Sequence, residues 1–194
     1  MKRCKWVNLN NKLYIDYHDK EWGVPTHDDK LLFELLLLES FQAGLSWETI
    51  LNKREHFRLS FDNFDYNIIS NYDTKKIEEL LNNKDIIRCK RKINAVINNA
   101  KIYIDIIKEW GSFSNYIWHF THNKVITNTN DELPVRSELS DTISKDLKKK
   151  GMKYVGSIII YSYLQAIGIV NDHELSCHKS IAGDKLWKNI KKYI

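Results

Sequence analysis

The sequence predicts a single domain that is mostly α-helical, and three observations support this prediction. The chain has 194 residues, which suits one domain and is enough to bury a core. Hydrophobic residues make up 43%, yet there are only 7 Gly and 2 Pro, a composition typical of a folded chain with few turns. Apolar residues recur at helical spacing over most of the length, and no repeat or linker rich in Pro, Gly or Ser divides the chain.

Local signals predict five helices and one strand. The helices cover about 28–40, a segment after Asp73, 91–110, 140–150 and a segment that begins at Ser157. The strand lies within 124–129, between the third and fourth helices. Asp28 or Asp29 is expected to cap the first helix, because a carboxylate accepts hydrogen bonds from the free N–H groups of a first turn. Gly111 and Gly151 end the third and fourth helices, since glycine readily takes the left-handed conformation at a helix C-terminus.

The segment between the last two predicted helices, "LKKKGMKYVGS" (147–157), places two glycines five residues apart among four lysines. Its backbone N–H groups, together with the N-terminus of the following helix, are able to hold a phosphate without reading base sequence. The alternative is a corner between two helices whose lysines are only solvated. The net charge of +5 is compatible with a polyanionic partner but does not require one.

Near the C-terminal end, "HELSC" (173–177) differs at one position from the HExxH signature of zinc proteases. Such an enzyme needs a third protein ligand and an open coordination position, and the residues after Cys177 offer only an adjacent histidine. Cys4 and His18 would instead complete a Cys2His2 set with His173 and Cys177. Four protein ligands leave no place for a reactive water, so this metal would be structural and Glu174 would be a solvent-facing bystander. The alternative is that the cysteines are ordinary buried thiols and the histidines are unrelated.

The three cysteines are widely spread, which disfavours a disulfide framework and favours a reducing compartment. The N-terminus has no signal-peptide pattern, and the longest apolar run, "LLFELLLL", is too short to span a bilayer. We therefore expect a cytoplasmic protein without a membrane partner. The last residues, 182–194, are expected to form either a short amphipathic helix or a frayed tail.

Long motifs at both ends of the chain carry a family resemblance. They read "RCKWV", "LYIDYHDKEWGVP" and "LFELLLLESFQAGLSW", followed by "KKKGMKYVG" and "IIYSYLQAIGIVNDHELSC". In this order they resemble the 3-methyladenine DNA glycosylase I family, a branch of the helix-hairpin-helix DNA glycosylases. The similarity runs from about residue 3 to residue 180. It implies one glycosylase domain over 1–194, with a helix-hairpin-helix at about 140–170 and a zinc site that joins the N- and C-terminal segments.

The resemblance also implies roles for individual residues. One structural Zn²⁺ would be held by Cys4, His18, His173 and Cys177. The pocket for the damaged base would be formed by Trp6, Tyr14, Tyr17, Glu39 and Trp47, with Glu39 as the catalytic residue. DNA would be contacted by Gln42, Gly44 and Leu45, which enter the duplex where the nucleotide has left, and by Gly151, Lys153 and Gly156 of the hairpin. Most helix-hairpin-helix glycosylases carry a catalytic Asp after the hairpin, but Asp172 belongs here to the metal motif and is not assigned as a base.

The residues of the implied pocket suit this chemistry. Glu39 continues an apolar stripe with Leu32, Leu35 and Leu36 at helical spacing, so a carboxylate is predicted at a buried position. A buried charge needs a partner, which would be a cationic flipped base or, alternatively, a neighbouring Lys or Arg. Trp47 would supply an aromatic face, which holds a cationic base more tightly than a neutral one.

The function implied is a monofunctional DNA glycosylase that excises 3-methyladenine from double-stranded DNA in base excision repair, and a monomer is expected by default. Methylation at N3 makes the base cationic, so its bond to deoxyribose is already weak and little acid or base assistance is needed. No lysine occupies the place of a Schiff-base nucleophile in this family, so no lyase activity is expected. Two alternatives stay open at this point: a non-catalytic zinc-containing binder of damaged DNA, and a zinc-dependent hydrolase.

Overall fold

The computed structural model describes residues 1–128 and 133–180, and this part of the chain is mostly helical, as predicted. Its helices are α1 (Lys12–Lys20), α2 (Asp29–Gln42), α3 (Trp47–Asn52), α4 (Arg54–Ser60), α5 (Tyr66–Ile69), α6 (Thr74–Asn82), α7 (Lys90–Trp110), α8 (Phe113–His119), α9 (Glu138–Lys149) and α10 (Ser157–Ala166), with a 3-10 turn at Asp62–Phe64. Two short strands, β1 (Ile126–Thr127) and β2 (Val170–Asn171), pair in parallel. The segment 182–194, for which a helix or a frayed tail is predicted, lies outside the described residues.

The predicted helix ends are largely confirmed. Asp28 is the N-cap of α2 and accepts a hydrogen bond from the N–H of Leu31, whereas Asp29 accepts from two N–H groups at the start of α8. Gly111 ends α7 with a φ of 81°. Ser157 is not the cap of α10: Gly156 holds that position, and the Ser157 hydroxyl pairs with the hydroxyl of Ser140 in α9. The Ser157 side chain, which was predicted to cap α10, therefore joins α10 to α9 instead.

Helix α2 lies at the centre of the fold. Every residue from Leu32 to Phe41 is buried, and α2 packs against α3, α7, α8 and α10. A helix enclosed on all sides buries whatever its sequence carries, so the carboxylates of Glu34 and Glu39 are buried too. This enclosure places Glu39 in the interior beside the N-terminal segment.

A second, smaller apolar cluster joins the two ends of the chain. Its buried members are Cys4, Val7, Tyr17, Trp22, Leu51 and Cys177. The β1–β2 pair, with Ile126 opposite Val170, fixes the chain just before residues 172–177 and directs them to the N-terminal segment. No helix of the described residues has the length and apolar character needed to cross a membrane.

Candidate active site and metal cluster

A cavity of about 260 Å³ lies between α1, α2, α3 and α10. All five residues predicted for the base pocket line it: Trp6, Tyr14, Tyr17, Glu39 and Trp47. The lining also includes Gln42, at the C-terminal end of α2. The volume is slightly below the roughly 300–1,000 Å³ of pockets for drug-sized ligands, which suits one flat base better than a larger molecule.

The cavity is also lined by Trp22, Leu133, Ser162 and Gln165, none of which was predicted. A signal for two of them was available. Ser162 and Gln165 are three residues apart within the otherwise apolar α10, so they share one helical face, and a polar face on a buried helix marks a site that is not simple core. Trp22 gave no such signal, because a tryptophan in a helical protein is ordinarily core.

Aromatic rings form the walls of the pocket. The ring centroids of Tyr17 and Trp47 are 5.2 Å apart, those of Trp6 and Tyr14 are 5.3 Å apart, and Trp6 lies 4.9 Å from Trp22. The indole nitrogens of Trp6 and Trp47 are buried and have no hydrogen-bond partner among the described residues. A pocket of this kind offers π-faces for stacking and two free N–H donors at its wall.

Glu39 presents a buried carboxylate to this pocket. Its exposed fraction is 3%, and its Oε2 atom has no hydrogen-bond partner within the part of the chain that is described. Burial raises the pKa of Glu39 to about 8. The alternative of a neighbouring Lys or Arg partner is therefore not realised at Glu39. An unpaired buried carboxylate is costly for the fold, and such groups concentrate at functional sites.

Tyr17 stays protonated beside this carboxylate. The side chain is buried, and burial together with the nearby charge of Glu39 raises the pKa of the Tyr17 hydroxyl well above its ordinary value. A neutral phenol keeps its O–H donor at every physiological pH. The pocket thus combines an acceptor, Glu39, with a donor, Tyr17.

Asp172 does not line the cavity, although it follows α10. It is 1% exposed and accepts hydrogen bonds from the hydroxyl of Tyr161, at 2.7 Å, and from Nε2 of Gln165, at 2.6 Å. Because Nε2 of Gln165 is taken by Asp172, the amide of this pocket residue is held in one orientation. Asp172 therefore anchors a pocket residue rather than facing the pocket itself.

The four predicted metal ligands come together from both ends of the chain. Cys4, His18, His173 and Cys177 are all buried, and their ligand atoms lie within 4.8 Å of one another. Sγ of Cys177 is 3.4 Å from Nε2 of His18 and 3.6 Å from Nδ1 of His173, and Sγ of Cys4 is 3.5 Å from the same Nδ1. Tetrahedral zinc with ordinary Zn–S and Zn–N bonds separates S and N ligands by about 3.6 Å, so the donor set fits this metal.

The groups around the cluster orient its ligands. Nδ1 of His18 lies 2.7 Å from a carboxylate oxygen of Asp19, and Nε2 of His173 lies 3.1 Å from the carbonyl oxygen of Trp22. Burial alone would raise the pKa of Asp19, but hydrogen bonds from Arg3 and His18 outweigh it and hold this pKa at about 2. Histidine ligands in metal sites are typically held in this way through their second ring nitrogen.

One sequence-based expectation at the cluster is wrong. Glu174 was expected to face solvent, but it is 9% exposed and its Oε1 accepts a hydrogen bond from the N–H of Lys5 at 2.8 Å. Its backbone N–H also points to Sγ of Cys4, at 3.4 Å. Glu174 therefore ties the two chain ends together. A carboxylate held in this way, beside four protein ligands, does not have the arrangement of a zinc hydrolase.

The loop predicted to enter DNA is exposed and conformationally defined. Gly44 and Leu45 are both exposed, and the N–H of Leu45 donates to the carbonyl of Gln42 at 2.7 Å. Gly44 has a φ of 82°, and an added Cβ would meet no atom within 4 Å, so backbone conformation rather than space favours glycine there. The side chain of Gln42 donates in turn to the carbonyl of Leu45, which closes the loop.

The turn between α9 and α10 brings together the other residues predicted to contact DNA. Gly151 has a φ of 97°, Lys153 is exposed, and Gly156 caps α10. The turn is held by α7, where Asn98 donates to the carbonyl of Gly151. The DNA-contact roles of these residues remain predictions, as does the helix-hairpin-helix assignment.

Comparison with known proteins places the chain in a family. The model of the methyladenine glycosylase family matches residues 6–180. DNA-3-methyladenine glycosylase 1 of Escherichia coli (strain K12) is 44% identical over 180 residues, which cover 91% of this chain and 96% of the relative. The crystal structure of a 3-methyladenine DNA glycosylase I superposes with a TM-score of 0.89 at 42% identity, covering 92% of this chain and 100% of that one.

A variant of 3-methyladenine DNA glycosylase I, solved in complex with 3-methyladenine, superposes with a TM-score of 0.87 at 32% identity, covering 91% of this chain and 96% of that one. The helical fold is thus that of solved 3-methyladenine DNA glycosylase I structures, and these relatives indicate an enzyme that acts on N-glycosyl bonds. Within that class, the chain belongs to the methyladenine glycosylase family.

Proposed function

We propose that this chain is a monofunctional glycosylase that flips 3-methyladenine out of double-stranded DNA and hydrolyses its N-glycosidic bond. The observation that carries the proposal is Glu39, an unpaired carboxylate buried at the wall of an aromatic cavity. A cationic base with N–H groups at its edge supplies both the charge and the hydrogen bonds that Glu39 lacks. The similar E. coli protein bears the name of this activity, and one structural neighbour was solved with 3-methyladenine bound.

Recognition follows from the chemistry of the pocket. Removing a base from the stack costs a few kcal/mol and is easier for a damaged base. Trp47 and Trp6 offer stacking faces, and each favourable cation–π contact is worth about 0.5–2 kcal/mol for a cationic base. Glu39 would accept hydrogen bonds from the base edge while Tyr17 donates one. Neutral adenine would gain neither the cation–π contact nor the charge pairing, so the pocket favours the methylated base.

Cleavage requires little further assistance. The glycosidic bond of 3-methyladenine is weakened by the positive charge, and the base leaves as a neutral molecule. The bonding electrons go to the base, the deoxyribose C1′ becomes electron-deficient, and water adds there while releasing a proton. Glu39 would assist electrostatically, since a carboxylate stabilises positive charge on the base and sugar. Among the described residues that line the pocket there is no lysine, which supports hydrolysis without a Schiff base and thus without strand cleavage.

Two segments would hold the DNA. The loop begins at the pocket, because Gln42 lines the cavity, and it continues through the exposed Gly44 and Leu45. Leu45 would fill the space left by the flipped nucleotide. The 150–156 turn, with Gly151 and Lys153, would bind a backbone phosphate as a helix-hairpin-helix, and Gly156 would let α10 present its N-terminal N–H groups. These contacts are independent of base sequence, as a repair enzyme needs.

One structural zinc ion would be held by Cys4, His18, His173 and Cys177. When bound, the ion would supply a cross-link and no reactive water, because four protein ligands would fill the positions that structural zinc offers. The four side chains join the N-terminal segment, which carries Trp6, to the segment after α10. Zinc would therefore stabilise one wall of the pocket without taking part in the reaction.

The proposal is tested by base release from methylated duplex DNA. Wild type should release 3-methyladenine, and Glu39→Gln, which keeps the shape but removes the charge, should slow release by about 10²-fold or more, as loss of one electrostatic stabiliser does. Glu78→Gln is the matched control, because Glu78 is exposed on α6 and far from the cavity in sequence. Circular dichroism should show that all three proteins are folded. A wild-type protein that binds abasic duplex yet releases no base would instead identify a non-catalytic binder.

A further inference from the structure

Lys92 is a buried lysine that the reaction does not use. It lies on α7 with 9% of its surface exposed, and its Nζ is 2.8 Å from the carbonyl oxygen of Phe41 and 2.7 Å from that of Ala43. These carbonyls belong to the C-terminal end of α2, where backbone oxygens have no partner within the helix. A positive charge at this end is also favoured by the helix macrodipole.

The two carbonyls that Lys92 binds lie at the start of the 42–45 loop, one just before it at Phe41 and one within it at Ala43. The carbonyl between its two partners, that of Gln42, accepts from the N–H of Leu45 at 2.7 Å. Three consecutive carbonyls are thus satisfied, two by Lys92 and one by the loop itself. Loss of the ammonium group would leave the oxygens of Phe41 and Ala43 without this partner, directly before the left-handed Gly44.

The charge of Lys92 is otherwise poorly compensated. No carboxylate lies within ion-pair distance of Nζ among the described residues. Burial lowers the pKa of Lys92 below its ordinary value, although the nearby Cys89 opposes this. Burying an ammonium group costs free energy, and an apolar side chain of the same length would avoid that cost but would leave the carbonyls of Phe41 and Ala43 without a donor. What Lys92 supplies at this position is therefore a donor for the carbonyls at the start of the 42–45 loop.

The same helix also holds the 150–156 turn. Asn99 donates from Nδ2 to the carbonyl of Lys153 at 2.8 Å and accepts from the N–H of Lys153 at 2.8 Å, and Asn98 donates to the carbonyl of Gly151 at 3.0 Å. Lys92 and Asn99 are seven residues apart, which is about 10 Å along an α-helix. A single rigid helix therefore sets the distance between the 42–45 loop and this turn.

Direct contacts link the two segments as well. The hydroxyl of Ser40 in α2 lies 3.3 Å from the carbonyl oxygen of Tyr154 in the turn. Nζ of Lys92 lies 6.0 Å from the centroid of the Tyr154 ring, at the outer limit of a cation–π contact. Tyr154 has a φ of 55°, a conformation that a tyrosine rarely adopts, so its surroundings hold it there.

We propose that Lys92 is a positioning residue that fixes the 42–45 loop relative to the 150–156 turn, so that both segments engage duplex DNA at once. The proposal rests on the proposed function, because the DNA contacts of the two segments belong to it. Lys92 does not line the base pocket and touches neither base nor sugar in this arrangement. Its effect should therefore appear on duplex substrates and not on the free base.

The test compares Lys92→Met with wild type on three ligands. On methylated duplex DNA, kcat/KM should fall by about tenfold or more, because misplacing a contacting group by about 1 Å costs up to 10²-fold. Release from methylated single-stranded DNA, and binding of free 3-methyladenine followed by tryptophan fluorescence, should change by less than about twofold. Lys101→Met is the matched control, since Lys101 is exposed on the same helix.

Several outcomes would overturn the proposal. One is a folded Lys92→Met protein that is as active as wild type on the duplex, and another is an equal loss on single strands and free base, which would assign Lys92 to the pocket or the fold. If Lys92→Met does not fold, Lys92→Gln, which keeps one donor, replaces it. The double variant of Lys92→Met with Leu45→Ala should lose little more activity on duplex than the more affected single variant, because both residues act through one loop. Additive losses would contradict this.

Failure of the proposed function is distinguishable from failure of this inference. If wild type releases no base from any substrate, the proposed function is wrong. Binding to duplex that contains an abasic-site analogue then tests Lys92 alone. Weaker binding by Lys92→Met than by wild type and Lys101→Met would support the positioning role, and equal binding would refute it.

Discussion

Glu34 and Glu39 lie five residues apart on α2, both are buried, and only Glu34 is paired. Its carboxylate accepts from Arg54 at 2.7 Å and from Arg58 at 2.8 Å, while Oε2 of Glu39 has no hydrogen-bond partner in the described structure. Two identical side chains on one enclosed helix thus take opposite roles. Glu34 fastens α4 to the core, and Glu39 is left available at the pocket.

The first prediction concerns stability and pH. The folded protein keeps Glu39 protonated up to about pH 8, whereas the unfolded chain releases this proton near the ordinary pKa of 4.5. Between these values the folded state binds more protons, so the contribution of Glu39 to stability is fully present below pH 4.5 and is lost as the pH rises to about 8. The difference in free energy of unfolding, Glu39→Gln minus wild type, should therefore increase from pH 4.5 to about pH 8 and stay constant above it. Urea titrations from pH 5 to pH 9 measure it, and a constant difference would contradict the raised pKa.

The second prediction concerns activity and pH. A cationic base needs the ionised carboxylate, and in the free enzyme this form of Glu39 dominates only above about pH 8. The kcat/KM for release from methylated duplex should therefore rise with pH and flatten above about pH 8, since this parameter reports groups of the free enzyme. Glu39→Gln should show no such rise. A wild-type profile that is flat from pH 6 to pH 9 would argue against an ionised Glu39 in the reaction.

The third prediction concerns the aromatic wall. Trp47→Ala removes the stacking face next to Tyr17. Because one cation–π contact contributes about 0.5–2 kcal/mol, binding of the methylated base should weaken by about 2- to 30-fold. Trp47→Phe keeps a ring at the same position and is the matched comparison, with a smaller expected loss. The enzyme concentration that half-saturates single-turnover release from methylated duplex measures binding by both variants. Equal values for the Ala and Phe variants would mean that stacking at this position contributes nothing.

The fourth prediction concerns the metal cluster. Cys4→Ala removes one of four buried ligands, so zinc content and thermal stability should fall together. For a chain of this length, each kcal/mol lost lowers Tm by about 2–4 °C. Cys89→Ala is the matched control, because this thiol lies at the start of α7 and outside the cluster. Elemental analysis and thermal unfolding of both variants give the result. A Cys4→Ala protein that retains one zinc per chain would refute the assigned ligand set.

Local signals in the sequence were enough for the long helices. The caps Asp28 and Asp73 and the stop at Gly111 act within a single turn, so the helix ends were predictable from neighbouring residues alone. The other helices, α1, α3, α4, α5 and α8, have four to nine residues each, and such lengths are stable only through tertiary packing. Their individual bounds were consequently not predicted.

The residues of the candidate site were also predictable only in part. The motifs carried enough similarity to name the five pocket residues, and the structure places all of them around one cavity. Ser162 and Gln165 were missed although their spacing marks a polar face on the apolar α10, and the packing of α10 against α2 shows what that face meets. Glu174 was misplaced because the sequence cannot show that the N–H of Lys5, 169 residues earlier, lies 2.8 Å from its carboxylate.

The sequence by itself determined the helical class, the family resemblance and the identity of the four Cys and His side chains. The tertiary structure decided which side chains lie next to one another and which buried charges have a partner. It brings Cys4 within 3.5 Å of His173, and it gives arginine partners to Glu34 but not to Glu39. The physical reason is that helix formation depends on residues a few positions apart, whereas desolvation and charge pairing depend on neighbours that only the folded chain provides.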